Sequence, residues 1–396
     1  MIDVPEYILP ILNILEDSGF EAYTVGGCVR DSFLGKVPSD WDIATSACPE
    51  KVLEIFSEFT TIPTGLKHGT VTVISDGNPV EITTYRIDGE YADCRHPEKV
   101  TFSANLEDDL SRRDFTVNAM AYNPKNGLKD PYNGQLDLKN KVLRCVGDAR
   151  LRFNEDALRI MRALRFAATL DFELEVHTAE AIKNGAHLLQ NIAKERISAE
   201  LSKLLLAEKP ENILLAYKNI FLEVLGIKHP VPDSVWEENC KAASLATPHL
   251  PLRLALMLNG LPVSDALRHL KFSNAVKHAA ETITKGLAVE ILPDKASIKK
   301  QLREFGAENM DYIIKGKCAL SGDSEILRDI EEIISDIKAN SECYMISQLD
   351  INGQDLLEHL GINGPEIGNA LETLLDAVIS GKCENQKNAL LELLKK

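Results

Sequence analysis

Two acidic residues separated by a single residue in the segment "SDWDIAT" are the first candidates for chemistry. The apolar residues around them predict a buried strand. Residues i and i+2 of a strand project from the same face, so Asp40 and Asp42 would stand side by side. Neighbouring carboxylates repel each other, and a divalent cation relieves that repulsion by taking both as oxygen ligands. The pair predicts a metal site, with a solvated strand end as the alternative.

A pair of glycines upstream of these acids is the second candidate. In "VGGCVRD", Gly26 and Gly27 end a β-rich run and lead into a predicted helix that begins near Val29. Backbone N–H groups at such a turn bind anions, so we expect Gly27 and Arg30 to hold a triphosphate. The glycines alone indicate no more than a tight turn. Their position shortly before Asp40, on the strand expected beside it, favours the phosphate site.

The segment "NEDALRIMRALRFAATL" carries residues that could read a nucleobase. Asp156 is an acceptor, and Arg159 is a donor about one helical turn away. Cytosine and adenine present an exocyclic amine beside a ring-nitrogen acceptor, whereas uracil and guanine present a carbonyl beside an N–H group. The pair would therefore admit C and A and leave buried polar groups unpaired with U or G. The structural alternative makes Asn154 a helix cap, with acids in the first turn.

Two further groups of charged residues have weaker signals. The segment "SRRDFTVNAMAY" predicts either a helix start with surface arginines or a site in which Arg113 contacts phosphate. In the second interpretation, Asp114 and Asn118 hold the sugar or neighbouring loops. Glu81, on a later predicted strand, is a third acid that could flank the metals or serve a structural role. The sequence leaves both alternatives open.

Acids on a strand beside a phosphate-binding turn predict metal-assisted nucleotidyl transfer. Two Mg²⁺ ions bound by Asp40 and Asp42 would activate a 3′-hydroxyl and stabilise the leaving pyrophosphate. The base-reading helix adds arginines at every third position, Arg159, Arg162 and Arg165. Each step of three residues rotates the side-chain direction around the helix axis by about 60°. These arginines therefore point in different directions around the helix instead of forming one stripe.

The composition limits the class of protein. A chain of 396 residues predicts several domains. There is no apolar run of about 18 residues and the N-terminus lacks a basic stretch, so we expect a cytoplasmic protein without a membrane span. The eight cysteines include no C-x-x-C pair, which argues against a zinc site or a disulfide framework. The net charge of −16 predicts weak, salt-dependent non-specific binding to nucleic acid.

The predicted elements divide the chain into two regions. The first 150 or so residues mix strand and helix signals. They include two β-branched runs in "TVTVISDGNPVEITTYR", which predict a hairpin around an Asp-Gly-Asn-Pro turn, residues 76–79. Beyond them, Leu, Ala, Ile, Glu and Lys recur at helical periods, broken by segments such as "EKPEN", "KHPVPDS" and "NGPEIG". The pattern indicates a mixed head followed by a long all-helical arm.

Taken together, these motifs resemble those of the class II, bacterial-type CCA-adding tRNA nucleotidyltransferases. The resemblance rests on "VGGCVRD", "SDWDIAT", "RRDFTVNAMAY", "DPYNGQLDL" and "EDALRIMRALRFA", and it extends to the C-terminal "NGQDLLEHLGINGPEIGNAL". It implies an α+β fold with a sea-horse shape, in which a nucleotidyltransferase head with a mixed or antiparallel sheet precedes an all-α neck, body and tail. The expected limits are 1–148 for the head, 149–206 for the neck, 207–270 for the body and 271–396 for the tail.

The resemblance also implies roles for individual residues. Asp40 and Asp42 would be the catalytic metal ligands, and tRNA would bind through its acceptor arm and elbow, with CTP and ATP as the nucleotide substrates. The residues expected to bind the nucleotide are Gly27, Arg30, Arg113, Asp156, Arg159, Arg162 and Arg165. Of these, Asp156 and Arg159 would read the base, and Arg162 and Arg165 would complete the pocket.

Relatives within this family differ in the nucleotides that they add. The segment from Arg86 to Phe102, which includes Asp88, Glu90, Asp93 and Arg95, resembles the loop that relatives need to change from C to A addition. Its presence argues against CC-only addition, and an A-adding enzyme stays open as the alternative. A bacterial poly(A) polymerase and a non-catalytic RNA-binding relative are less favoured, because the "NGPEIG" tail and the intact acids fit a CCA-adding enzyme.

Overall fold

The structure is a computed structural model that describes residues 2–89, 100–322 and 325–395. The chain divides into two compact units. The first unit comprises Met1–Lys209 with Asn219–Val224, and the second comprises Pro210–Lys218 with Leu225–Lys396. Strands occur in the first unit together with helices, and the second unit is helical in its described part. The predicted α+β class is confirmed.

A seven-stranded sheet forms the centre of the first unit. The described strands of this unit are β1 (Ala22–Val25), β2 (Asp42–Thr45), β3 (Thr60–Gly65), β4 (Thr70–Ser75), β5 (Asn78–Thr84), β6 (Arg86–Asp88), β7 (Val100–Phe102), β8 (Ala121–Asn123), β9 (Gly127–Lys129), β10 (Val142–Leu143) and β11 (Glu173–Leu174). The strand order in the seven-stranded sheet is β3-β4-β5-β2-β1-β8-β9, and neighbouring strands are antiparallel except for the parallel pair β2 and β5. The predicted mixed sheet is therefore present, and β6 with β7 and β10 with β11 form two further pairs.

The predicted hairpin is the pair β4 and β5. A two-residue turn joins them, and both turn residues have positive φ, 48° at Asp76 and 78° at Gly77, which suits a hairpin connection. The sequence placed Asn78 and Pro79 in the turn, but they belong to β5. Pro79 is tolerated near the strand start, where it is exposed.

The segment that carries the paired acids differs from the prediction at its first residue. Strand β2 begins at Asp42, so Asp40 lies before the strand and is exposed. Trp41 and Ile43 are buried, as the alternation predicts. The two acids are therefore close in sequence, but Asp40 is outside the sheet because pairing with β1 starts only at Asp42.

Short helices surround the sheet, and longer ones follow it. The helices up to residue 224 are α1 (Leu9–Asp17), α2 (Gly27–Phe33), α3 (Pro49–Ile55), α4 (Leu106–Ser111), α5 (Gly134–Asn140), α6 (Ala149–Glu155), α7 (Leu158–Leu170), α8 (Val176–Gly185), α9 (Lys194–Leu205), α10 (Glu211–Ala216) and α11 (Lys218–Val224). A short 3-10 turn spans Thr116–Asn118.

Helices α7 and α9 pack against each other and support the later part of the site. Ile160 and Leu164 of α7 and Leu201 and Leu204 of α9 are fully buried. The interpretation in which Asn154 caps a helix is wrong, because Asn154 lies inside α6. The chain leaves helical geometry at Asp156, between the two helices, and the N-cap position of α7 is Ala157, which makes no side-chain capping bond. Asp156 precedes this position, and its carboxylate accepts the Leu158 backbone N–H at 3.0 Å.

The second unit is built from helices with apolar interfaces. Besides α10, they are α12 (Asp233–Leu245), α13 (Leu250–Met257), α14 (Val263–His269), α15 (Asn274–Ala288), α16 (Lys295–Phe305), α17 (Ala307–Ser321), α18 (Glu325–Ala339), α19 (Gly353–Leu360), α20 (Pro365–Ile379) and α21 (Lys387–Lys395). The predicted break at "NGPEIG" is confirmed, since Gly361 ends α19 with φ 71° and Pro365 is the first residue of α20. Within the described ranges, no helix is both long and apolar enough to cross a membrane.

Candidate active site

A cleft of about 500 Å³ in the first unit collects the residues that the sequence singled out. It lies beside β2, α2 and α7, and all nine predicted site residues line it. They are Gly27, Arg30, Asp40, Asp42, Arg113, Asp156, Arg159, Arg162 and Arg165. Residues that are up to about 140 positions apart in the chain therefore meet in one place, although their individual roles stay predictions.

The two predicted metal ligands stand at the start of β2. Asp42 is partly buried, and Asp40 is exposed and accepts a hydrogen bond from its neighbour Ser39 at 2.9 Å. Burial, then repulsion by Asp40 and Glu81, raises the pKa of the Asp42 carboxyl to about 6, and Arg113 opposes this shift. A carboxylate under such repulsion is stabilised by a bound cation, so the donor set fits a divalent metal.

Glu81 lies beside these acids without facing the cleft. It is opposite Asp42 in the parallel pairing of β2 and β5. Its side chain is exposed and does not contribute to the cleft lining. Among the residues that the structure describes, no group of three His, Cys, Asp or Glu side chains is arranged to hold a metal. A cation held by Asp40 and Asp42 would need further oxygen ligands, and nucleotide phosphates can supply them.

The glycine turn closes one side of the cleft. Helix α2 begins at Gly27, two residues earlier than the predicted start near Val29. Gly26 has φ 79°, and a Cβ atom there would lie 2.9 Å from Nη1 of Arg113. A Cβ atom at Gly27 would lie 3.7 Å from Nη2 of Arg30, an ordinary contact. The requirement for glycine is therefore at Gly26, where the positive φ disfavours any other residue and a Cβ atom would have to displace Arg113.

A buried carboxylate, Asp109, holds the two arginines that follow α4. It accepts from Arg112 at 2.5 and 3.0 Å and from Arg113 at 3.0 and 3.3 Å. Burial alone would raise the pKa of Asp109, but the Arg113 and Arg112 guanidinium groups outweigh it and bring the pKa below its ordinary value. Asp109 thus stays ionised and fixes both cations at the edge of the cleft.

Asp114 connects the sheet side of the cleft to α7. One oxygen accepts from the Phe115 N–H at 2.9 Å and from Asn118 at 3.0 Å, and the other accepts from Arg162 at 2.6 and 2.9 Å. Burial would raise the pKa of Asp114, but Arg162 and the Asn118 hydrogen bond lower it overall. Asn118 also accepts a 2.7 Å hydrogen bond from Arg30. Asp114 and Asn118 are thus a scaffold for arginines in this structure.

The predicted base-reading pair is held from different sides. The two oxygens of Asp156 accept from the Leu158 N–H at 3.0 Å and from Arg196 at 3.1 Å. Arg159 donates to Glu155 at 2.6 Å and to the carbonyl oxygens of Arg152 and Arg112 at 3.2 and 2.9 Å. Arginine has five N–H donors, so three are used by these bonds and two remain. Each Asp156 oxygen also keeps a lone pair, so both residues retain capacity for a base.

The last two arginines of α7 reach the cleft despite their sweep around the helix. An aromatic ring, Phe166, explains how. The guanidinium carbons of Arg165, Arg30 and Arg162 lie 3.7, 5.1 and 5.4 Å from its ring centroid. Phe166 is itself 6% exposed and contacts Phe115 edge to face. Three guanidinium groups therefore gather around one ring in the cleft lining, which a helical wheel does not show.

Sequence reasoning missed several residues that line or support the cleft. The lining includes Phe166 and Lys203, and the supporting carboxylates include Asp109 and Glu200. The sequence around Glu200 does not distinguish it from a surface acid of α9. Only the structure shows that Glu200 is buried. Asp109 could have been found, because an acid three and four residues before Arg112 and Arg113 fits helical ion pairs.

The charges of the lining define what the cleft can bind. Seven lining cations accompany four acids, three of which are Asp42, Asp114 and Asp156. A strongly anionic ligand with an apolar or hydrogen-bonding end, such as a nucleoside triphosphate, fits this arrangement.

The two ends of the segment 86–102 form the paired strands β6 and β7. Glu90, Asp93 and Arg95 of this segment lie outside the described residues.

Two parts of the chain match known protein families. Residues 22–144 match the family described as the Poly A polymerase head domain, and residues 251–394 match tRNA nucleotidyltransferase domain 2.

The whole chain is also similar to individual proteins. A CCA-adding enzyme of Lactobacillus delbrueckii subsp. bulgaricus is 39% identical over 98% of this chain and 96% of its own. The crystal structure of the Bacillus stearothermophilus CCA-adding enzyme in complex with CTP has a TM-score of 0.83 and 34% identity, over 98% of this chain and 96% of its own. A Thermotoga maritima CCA-adding enzyme complexed with tRNA has a TM-score of 0.70 over 99% of this chain and 96% of its own, and at 22% identity bears on the fold alone.

Proposed function

The chain belongs to the family of CCA-adding enzymes, and from that premise we propose that it adds C, C and A to the 3′ end of tRNA. CTP and ATP are the substrates, pyrophosphate is released, and no nucleic-acid template is used. The observation that carries this proposal is the single cleft in which the paired acids, the arginines and the Asp156–Arg159 pair meet. The A-adding alternative is not favoured, since the relatives named above are CCA-adding enzymes over nearly their whole length.

The phosphate end of the nucleotide meets arginines that are already held in place. Arg30 is fixed by Asp31 and Asn118, and Arg113 is fixed by Asp109. Because these guanidinium groups are oriented before the ligand arrives, little side-chain entropy is lost on binding. The backbone at Gly26 and Gly27 lets the triphosphate approach closely, with Arg113 on the other side.

The acids Asp40 and Asp42 complete the reacting end. We propose that they hold two Mg²⁺ ions, which when bound activate the terminal 3′-hydroxyl of tRNA and stabilise the leaving pyrophosphate. The supporting observation is the pKa of Asp42, which burial and then repulsion by Asp40 and Glu81 raise to about 6. The two carboxylates also fix where the 3′ end must lie, because the attacking oxygen has to approach the α-phosphate beside them.

The base is read at the α7 end of the cleft. Asp156 accepts the exocyclic amine of cytosine or adenine, and Arg159 donates to the neighbouring ring nitrogen. Both side chains retain the necessary capacity after their contacts within the protein. Uracil and guanine would place a carbonyl against the Asp156 carboxylate, which leaves both groups without a partner and is costly in a buried site.

The remaining parts of the proposal concern the whole chain. We assign the head to residues 1–148, the neck to 149–206, the body to 207–270 and the tail to 271–396. We expect the tail to contact the elbow of tRNA, so that substrates are chosen by their shape. The supporting observation for a distinct helical arm is the match of residues 251–394 to a tRNA nucleotidyltransferase domain. We further propose that the protein works in the cytoplasm.

Incorporation assays with the purified chain test this function. Three tRNA transcripts, ending at the discriminator base, after C and after CC, are incubated with Mg²⁺ and labelled CTP or ATP, separately and together. We expect ordered addition of C, C and A to the shortest transcript. If label enters only the CC-ended transcript and only from ATP, the chain adds A alone and the proposal is wrong.

A further inference from the structure

Helix α9 carries three polar residues on the face that packs beside α7. Arg196, Glu200 and Lys203 are spaced by four and three residues, so they share one side of the helix. Glu200 is only 7% exposed, which is rare for an acid unless it is paired. Lys203 lines the cleft. This stripe lies next to the predicted base-reading helix without belonging to any motif that the sequence suggested.

Arg196 contacts the predicted base-reading acid. Its Nη2 donates to one oxygen of Asp156 at 3.1 Å, while the Leu158 N–H holds the other oxygen at 3.0 Å. With one donor on each oxygen, the plane of the Asp156 carboxylate is fixed. Nη1 of Arg196 is buried and has no hydrogen-bond partner in the described part of the chain. A buried donor without an acceptor is unfavourable, so the position of Arg196 is not explained by stability alone.

Glu200 makes the corresponding contact to an arginine. Its carboxylate accepts from Nε of Arg165 at 2.5 Å, and its second oxygen lies 4.0 Å from Arg162. The face of Arg165 rests on the Phe166 ring at 3.7 Å. One of the five N–H donors of Arg165 is used, and within the described residues the other four have no hydrogen-bond acceptor. Arg165 lines the cleft, so its terminal nitrogens are available to a ligand there.

We propose that α9 is a positioning helix for the nucleotide, in which Arg196 orients Asp156 for base reading and Glu200 orients Arg165 toward the incoming nucleotide. This inference rests on the proposed function and assigns two residues outside its motifs. Neither residue lines the cleft, so each acts through its partner. The two contacts act on different properties of the reaction, because Asp156 reads the base whereas Arg165 is a cation that any nucleotide can use.

The effects of removing each contact should therefore differ. Without Arg196, Asp156 is held by one backbone N–H and can rotate, which weakens its bond to the amine of cytosine but not to uracil, which offers none. We expect Arg196→Ala to lower the ratio of kcat/KM for CTP over UTP by about tenfold. We expect Glu200→Gln to raise KM for both CTP and ATP by about fivefold, with the CTP to UTP ratio within about twofold of the parent.

The experiment uses the full chain and two matched controls. Steady-state kinetics with CTP and UTP are measured on the transcript that ends at the discriminator base, and with ATP on the CC-ended transcript. Lys183→Ala on α8 and Glu208→Gln after α9 remove exposed charges outside the cleft and should match the parent. Arg196→Lys retains the charge and should restore part of the selectivity, which also covers the case in which Arg196→Ala does not fold.

Double substitutions decide between positioning and a purely structural role. If Glu200 acts through Arg165, adding Glu200→Gln to Arg165→Ala changes KM no further, and independent, additive effects overturn the assignment. If Arg196→Ala and Arg196→Lys lower kcat/KM equally for CTP and UTP, Arg196 does not orient the base reader. Urea unfolding of each variant separates lost stability from lost selectivity.

Failure of the proposed function is distinguishable from failure of this inference. Equilibrium binding of CTP and of UTP to the parent and to Arg196→Ala is measured without tRNA. If the parent incorporates neither nucleotide but binds CTP in preference to UTP, and Arg196→Ala loses that preference, the proposed activity is wrong and the positioning role stands. If the preference is unchanged by the substitution, the positioning role is wrong.

Discussion

The buried link between Asp114 and Arg162 gives a quantitative prediction for Asp114→Asn. The carboxylate accepts four hydrogen bonds, two of them from Arg162 at 2.6 and 2.9 Å. An amide oxygen can still accept from Phe115 and Asn118, but the amide nitrogen then faces the guanidinium donors. Within the described residues, the ion-pair partner that Arg162 keeps is Glu200 at 4.0 Å. The substitution thus changes one charge without changing the size of the side chain.

The expected loss follows from the burial of the pair. Removing one partner of a buried ion pair costs about 3–5 kcal/mol. The Arg162 side chain is 35% exposed, so water can replace part of the lost interaction. We therefore expect Asp114→Asn to lower the free energy of unfolding of the first unit by about 2–3 kcal/mol. Asp171→Asn, which removes a half-exposed acid at the end of α7, should change it by less than about 0.5 kcal/mol.

The two tryptophans allow this unit to be observed alone. Trp41 is buried in the first unit and Trp236 in the second. In a Trp236→Phe background, urea unfolding followed by Trp41 fluorescence reports on the first unit, with and without Asp114→Asn. Equal midpoints and slopes for the two chains would refute the reasoning, because the ion pair would then contribute nothing measurable.

The pH dependence provides a second check on the same pair. The pKa of Asp114 is lower in the folded protein than its ordinary value of 3.8, so ionised Asp114 favours the folded state. Its contribution is fully present above pH 3.8 and is lost as the pH falls through the folded pKa. The difference in the free energy of unfolding between the parent and Asp114→Asn should therefore be constant near neutral pH. Below about pH 4 this difference should become smaller. A difference that grows toward acid pH would contradict this.

Three further predictions concern the cleft. Asp42→Ala should abolish incorporation while tRNA binding, measured by filter retention, is unchanged; loss of both would contradict the metal assignment. Gly26→Ala should raise the nucleotide KM by at least about tenfold, because its Cβ displaces Arg113, whereas Gly19→Ala, with a similar φ and open space, should leave KM unchanged and affect stability alone. Removal of divalent ions with EDTA should stop incorporation and added Mg²⁺ should restore it, with Asp40→Asn requiring more Mg²⁺; activity that persists in EDTA would argue against metal assistance.

Short-range patterns account for much of the fold and for the side chains that face the cleft. Alternation predicts β4 and β5 and the burial of Trp41 and Ile43, because period and turn chemistry act over a few residues. The start of β2 was not predictable, since it depends on pairing with β1. Hydrogen bonds to residues far away in the sequence, such as that of Arg30 to Asn118, also decide whether a charged side chain is held in place before a ligand binds.

Local sequence patterns could not predict which distant residues contact one another around the cleft. Glu200 is 35 residues from Arg165, Asp156 is 40 residues from Arg196, and Asp114 is 48 residues from Arg162. No helical or strand period connects positions so far apart. The packing of α9 against α7 brings the first two pairs into contact, and Asp114 reaches Arg162 from the segment between α4 and the 3-10 turn. The sequence motifs, together with the family that they resemble, indicated the site residues, whereas supporting groups such as Glu200 became visible only in three dimensions.

The pairing of the cleft arginines has a consequence for how quickly the protein captures its ligands. Arg113, Arg159 and Arg165 each have a carboxylate close behind them, so beyond a few ångströms their fields largely cancel. A polyanion in solution then senses mainly the net charge of −16. Its encounter rate is therefore opposed, not accelerated, by long-range forces. Moderate salt should raise the association rate by screening that repulsion, while it weakens the contacts made after arrival.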